Sequence, residues 1–185
     1  MKINKYLALV AGAMVFFTSC VKDLETVPMN PWDPTADNTY GADETAYIKG
    51  LGRIYKMLNS HNLTDLQGVD GGASETFRSF WVCQEATTDA AKVAWGDDAW
   101  TDTVNKNTWT ATENDVISGI YYRAMQSVAY ANEYLRQTSA DKLAARGVEA
   151  DVQERIMMYR DEARFLRAFY YWILVDCFGS VPFGT

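Results

Sequence analysis

The chain has 185 residues, of which 48% are hydrophobic, 14% aromatic and 22% charged, a globular composition that excludes a disordered tail or a fibre. Seventeen basic against 24 acidic residues give a net charge of −7, and such a surface repels phosphate, so no nucleic-acid partner is expected. One histidine and three cysteines are too few for a zinc cluster or a disulfide framework, and no cofactor is expected.

Lys2 and Lys5 precede an uncharged run from Leu7 to Phe17. As a helix that run reaches only about 16 Å, short of the roughly 30 Å hydrocarbon core. Residues 1–19 therefore read as a signal peptide rather than a membrane span. The run ends in Phe17-Thr18-Ser19-Cys20, which resembles a bacterial lipobox, with Phe17 where Leu is usual. That resemblance implies cleavage before Cys20 and a covalent lipid on it; the alternative is a plain secretory signal with a chance cysteine. Residues 20–40 read as the lipidated cysteine and its tether. Pro28, Pro31 and Pro34 keep this stretch extended, and Asp23 and Glu25 resemble a surface-export signal.

Residues 41–185 carry three amphipathic helices. The first is predicted over 43–59, where Tyr47, Leu51, Ile54 and Leu58 recur on one face and Ile48 and Tyr55 widen it. The second is predicted over 114–138. Its stripe is Ile117, Tyr121, Ala124, Val128, Ala131 and Leu135, with a further apolar line at Tyr122, Met125 and Ala129. Thr112 and Asp115 offer a capping-box-like start. The third is predicted over 148–177, where Val148, Val152, Ile156, Tyr159, Ala163, Leu166, Tyr170, Ile173 and Cys177 recur every three or four residues. Gly179 and Pro182 end it. The fold class is mostly α, and the second and third helices make a natural antiparallel pair; the tetratricopeptide consensus is absent, so the architecture stays open at this point. Between the first two helices, residues 60–111 read as a long irregular aromatic-rich loop, with short strands around Arg78 to Val82.

Four of the six tryptophans, Trp81, Trp95, Trp100 and Trp109, lie in that loop. Indole faces beside acidic and amide side chains suit the apolar faces and hydroxyl edges of sugar rings. Trp95-Gly96-Asp97-Asp98-Ala99-Trp100 sets two indoles around an acidic turn, which makes Trp95, Trp100 and Asp98 the candidate ligand-binding residues. The other reading is that the indoles pin the loop to the helices, and Trp109, just ahead of a helix start, fits it best.

Catalytic constellations are weak. His61, the sole histidine, follows a helix end, and Cys83 and Cys177 read as buried structural thiols. Asp97, Asp98 and Asp102 lack EF-hand spacing for calcium and read as a solvated acidic loop. Glu85 and Asp89 leave a surface glycosidase as a lesser alternative, since such an enzyme needs two opposed carboxylates.

Glu162-Ala163-Arg164-Phe165-Leu166-Arg167-Ala168-Phe169-Tyr170-Tyr171, followed by Leu174 to Phe183 with its Phe178-Gly179-Ser180-Val181-Pro182 turn, resembles the signature helix and exit of the SusD/RagB family. Gln84 to Ala90 and Asn107-Thr108-Trp109-Thr110 also resemble family segments, although Asp89-Ala90-Ala91 stands where the family often has Asp-Glu-Ala. The resemblance implies a mostly α SusD-like fold of tetratricopeptide-like antiparallel helix pairs with the long irregular aromatic-rich loop, present here as an incomplete N-terminal fragment of a longer protein. It implies a lipid-anchored outer-membrane protein at the cell surface, not an enzyme. Such a protein binds an oligosaccharide or peptide and passes it to a SusC-like TonB-dependent transporter. A lipid-anchored helical scaffold for protein partners is the alternative.

Overall fold

The computed structural model describes residues 30, 35–59, 75–95, 99–110 and 115–184. The chain divides into residues 1–35 and residues 36–185. The expectations for residues 1–19, for Cys20, for most of the tether, for His61, for Asp97 and Asp98 and for Thr112 lie outside the described residues.

Seven α-helices are described: α1 (Ala36–Thr39), α2 (Glu44–Asn59), α3 (Thr76–Trp81), α4 (Ala99–Asn105), α5 (Asp115–Gln137), α6 (Ala140–Ala145) and α7 (Ala150–Phe178). A π-helical turn, Val82–Ala86, continues α3. No strand occurs among the described residues, so the fold is mostly helical as the sequence implied. The expected strands around Arg78 to Val82 are instead α3 and the start of the π turn, and the expected irregular loop carries α4 as well. Its residues find helical hydrogen bonds because Phe77, Phe80 and Trp81 have a long helix to pack beside.

The frame is α2, α5 and α7. Running up α5, Tyr121 meets Phe178, Asn132 meets Arg167 and Leu135 meets Arg160, so α5 and α7 are antiparallel. Glu44 meets Arg155 and Ile54 meets Tyr170, so α2 runs parallel to α7. Their shared core is Leu51, Ile54, Met57, Ala124, Val128, Ala131, Tyr134, Ala163, Leu166, Tyr170, Tyr171 and Leu174. A smaller cluster of Tyr47, Leu143, Val148 and Ile156 joins α2 to α6 and the start of α7.

The stripes read from sequence are largely the buried faces, with two corrections. Ile48 and Tyr55 do not widen the face of α2; both are exposed. On α5, Tyr122 and Ala129 face outward while Met125 packs against the core, and Val116, Ile120, Arg123 and Ser127 are buried as well. Periodicity among apolar letters overlooked Arg123 and Ser127 because both are polar.

Arg123 is held where a cation is useful. Its Nη1 donates to the Met57 carbonyl near the C-terminus of α2, and the Thr76 hydroxyl donates to the same oxygen at 2.8 Å. These donors answer a helix-end carbonyl and its negative dipole end. The C-terminus of α5 is treated likewise. Arg160 donates to the Leu135 carbonyl at 2.6 Å and Arg146 to that of Gln137 at 2.6 Å. Past α7, Gly179 sits at φ 72°, where a side chain would be strained, and its N–H closes on the Val175 carbonyl. The exit then folds back, with the Tyr171 hydroxyl donating to Gly184 O and Phe183 lying 4.8 Å from the Tyr171 ring.

Candidate functional site

Two aromatic regions stand out. The first is built around the sequence-predicted pair. Trp100 lies on α4 and is only 7% exposed, packed with Val82, Ala86, Val93, Val104 and Val116. As the largest ring in a six-residue cluster it has no free face to offer, so its assignment to ligand binding is corrected to packing. Trp95 is 48% exposed. The Arg78 guanidinium lies 4.3 Å over its ring and Trp100 meets it edge-on at 5.9 Å, so part of its surface is already engaged. The Thr101 hydroxyl donates to the Trp95 carbonyl at 2.8 Å. The Asn105 amide clasps Val93 through both backbone groups, at 2.9 and 2.8 Å, which fixes the strap between the π turn and α4. Asp98 lies outside the described residues.

The second region is not named as a ligand site from sequence, but Phe165, Phe169 and Trp172 stand outside the main stripe of the third helix and are expected to be largely exposed; Phe165 and Trp172 are, and Phe169 is half-buried. On α7, Phe165, Phe169, Trp172 and Asp176 recur at spacings of four, three and four, which places them on one face. α3 packs mainly on α5 and α2, with Thr76 and Ser79 buried, and reaches that face of α7 through the rings of Phe77 and Phe80. Phe77 lies 6.2 Å from Phe169, Phe80 lies 5.3 Å from Trp172 and Phe165 stacks on Phe169 at 6.5 Å. Much of this surface is open: Phe165 is 67% exposed, and Trp81 and Trp172 are each 51% exposed. A contiguous apolar patch of this kind marks a binding or docking surface more often than a chance exposure.

The two ends of the patch differ. Toward Phe165 it is phenyl rings on phenyl rings. Toward the C-terminus of α7 it becomes an open groove of about 520 Å³, lined by Phe77, Phe80, Trp81, Gln84, Glu85, Trp172 and Asp176. Gln84 Nε2 donates to Asp176 Oδ2 across the gap between the π turn and α7. Indole faces beside an amide and two carboxylates are the combination sought at Trp95 and Asp98, and the folded chain assembles it here from segments distant in sequence. A signal was available in principle: aromatic letters on a second face of α7.

A separate cavity of about 390 Å³ lies on the other side of the Gln84–Asp176 bridge and is lined by Cys83, Thr87, Trp109, Ile117, Cys177 and Phe178 among others. Cys83 and Cys177 are half-buried and free, not sealed in the core as expected. Trp109 is half-buried there, in keeping with a packing role. Among the described residues no group of three or more His, Cys, Asp or Glu side chains could hold a metal ion. No helix among them is long and apolar enough to cross a membrane.

The described residues form a helical frame that buries the Ala163, Leu166, Tyr170 and Tyr171 side of its longest helix and leaves aromatic rings open on another. No family model matches the chain. The chain is similar to the starch-binding protein SusD of Bacteroides thetaiotaomicron, at 28% identity over 182 residues. That alignment covers 95% of this chain and 30% of the relative, so the chain spans under a third of the length of the curated protein it matches.

Proposed function

We propose that the protein is a surface-exposed outer-membrane lipoprotein that binds oligosaccharides or peptides without altering them and hands them to a SusC-like TonB-dependent transporter. The observation that carries this reading is the similarity to a starch-binding protein along 95% of the chain. The lipobox-like Phe17-Thr18-Ser19-Cys20 supports a lipid on Cys20 and attachment to the outer membrane. The groove of Trp81 and Trp172, rimmed by Gln84, Glu85 and Asp176, supports ligand stacking on this part of the chain, with Trp95 as an outlying platform. Stacking on half-exposed rings gives modest affinity, and a ligand must not be held too tightly if it is to be passed on.

The test is affinity electrophoresis of the full chain in gels containing starch and other soluble glycans, with peptides followed by calorimetry. Trp172→Ala is expected to weaken retention about tenfold, the scale of one lost stacking contact. Retention by no glycan or peptide tested would overturn ligand binding. It would favour a lipid-anchored scaffold, for which the stacked Phe77, Phe165 and Phe169 end of the patch is suited. Release of reducing ends from a bound glycan would overturn binding without catalysis.

A further inference from the structure

The geometry points to a redox-formed staple: Cys83 and Cys177 close into a disulfide that ties the π-helical turn to the last turn of α7. The two thiols come from distant parts of the sequence, and three observations bring them together. Both line one cavity, on the same side as Trp109 and Phe178. They are near enough for each to shift the other's protonation. Their sequence neighbours, Gln84 and Asp176, 92 positions apart, are hydrogen-bonded through their side chains, which ties the two segments together at this point. Closure requires the two Cα atoms to come within about 4.4–6.8 Å.

The chemistry suits the pair. The neighbouring Cys177 and burial hold the Cys83 proton on, and Cys83 beside it favours the thiolate of Cys177. Either thiol of the pair can attack first, here Cys177. Its thiolate attacks a small-molecule disulfide, RSSR, forming Cys177–S–S–R and releasing RS⁻. Cys83 then loses its proton and attacks the Cys177 sulfur, which expels the second RS⁻. Two protein thiols are oxidised by two electrons, one RSSR is reduced to two RSH, and the protons balance. The cavity is open enough at about 390 Å³ to admit such an oxidant. A leader that directs the chain out of the cytoplasm would deliver it to surroundings where disulfides persist.

The bond would fix the separation of the two segments that carry Trp81 and Trp172, the walls of the open groove. The experiment uses the full chain carrying Cys20→Ser, so that the third cysteine cannot pair. It is equilibrated with a mixture of oxidised and reduced glutathione, quenched by alkylation and mapped as peptides without reduction. The expected result is a Cys83–Cys177 cross-linked peptide, loss of alkylation at both positions, and a melting temperature several degrees higher that returns to its starting value on reduction. Cys83→Ser and Cys177→Ser are each expected to abolish the cross-link and the shift. The peptide map needs neither variant, so misfolding of one does not blunt the test. Full alkylation of both thiols after equilibration would overturn the proposal. So would a glutathione adduct that persists on Cys177 with Cys83 still alkylated.

Discussion

The three-helix frame and the short layer beside it are held by different means. In the frame, α2, α5 and α7 bury a continuous core and answer one another's helix ends through Arg123 and Arg160. In the layer, α3 is tied to the frame by the Thr76 hydroxyl on Met57 and by its rings, while the π turn and α4 rest on a six-residue cluster and an asparagine clasp. A helix of six or seven residues is unstable alone and draws its order from what it packs against. The layer is therefore expected to open without the frame, whereas damage to the frame is expected to unfold both. This matters for function because α3 and the π turn supply Phe77, Phe80, Trp81 and Gln84, one wall of the groove, and α7 supplies the other.

The largest expected effect tests that separation. Trp100→Ala empties the centre of the small cluster and is expected to cost about 3–5 kcal/mol locally, the usual range for a buried tryptophan. Hydrogen exchange should lose protection over 82–105 while α5 and α7 keep theirs. Uniform loss across the molecule would show that frame and layer are one cooperative unit. Arg160→Ala is the counterpart in the frame. It strips the donor from the Leu135 carbonyl and the Thr138 hydroxyl, and a loss of about 1–3 kcal/mol is expected. Here the thermal transition of the whole chain should move down as one. A loss confined to the layer would contradict the division.

The same division explains what could be read before folding. In α7, Ile156, Ala163, Leu166, Tyr170 and Ile173 repeat over many turns, and all are buried. A long amphipathic helix announces itself, because each turn repeats the same statement. α3 and α4 span fewer than two turns each, so no period develops, and Phe77, Phe80 and Trp81 read equally well as strand letters. The candidate binding surface is subject to a related ambiguity. Trp95 and Trp100 are neighbours in sequence beside an acidic turn, but one of them is buried because α4 needs a core residue there. Trp81 and Trp172 are far apart in sequence and come to line one groove only in the folded chain. The Phe165, Phe169, Trp172 series was visible on α7 as a second aromatic face, and what it faced was not.

The smallest expected effect lies at the far end of the frame, where α2 begins. Glu44 receives Arg155 through both oxygens, at 2.8 and 2.9 Å, and the Tyr159 hydroxyl at 2.8 Å. These hydrogen bonds, Arg155 foremost, hold its carboxyl below the ordinary value of 4.5. A carboxylate whose pKa is depressed by folding stabilises the fold fully above its unfolded pKa. That contribution is lost as the pH falls through its folded pKa. The Arg155 side chain is 40% exposed, so solvent and salt weaken the pair and the effect is modest. Melting temperatures of the parent chain and Glu44→Gln should differ at about pH 6 and converge below about pH 4, more weakly in high salt. Parallel curves across that window would mean that the pair only positions α2 on α7. Acid lability would then have to arise from carboxylates elsewhere in the frame or from those of the layer, and hydrogen exchange at low pH would distinguish them by which region opens first.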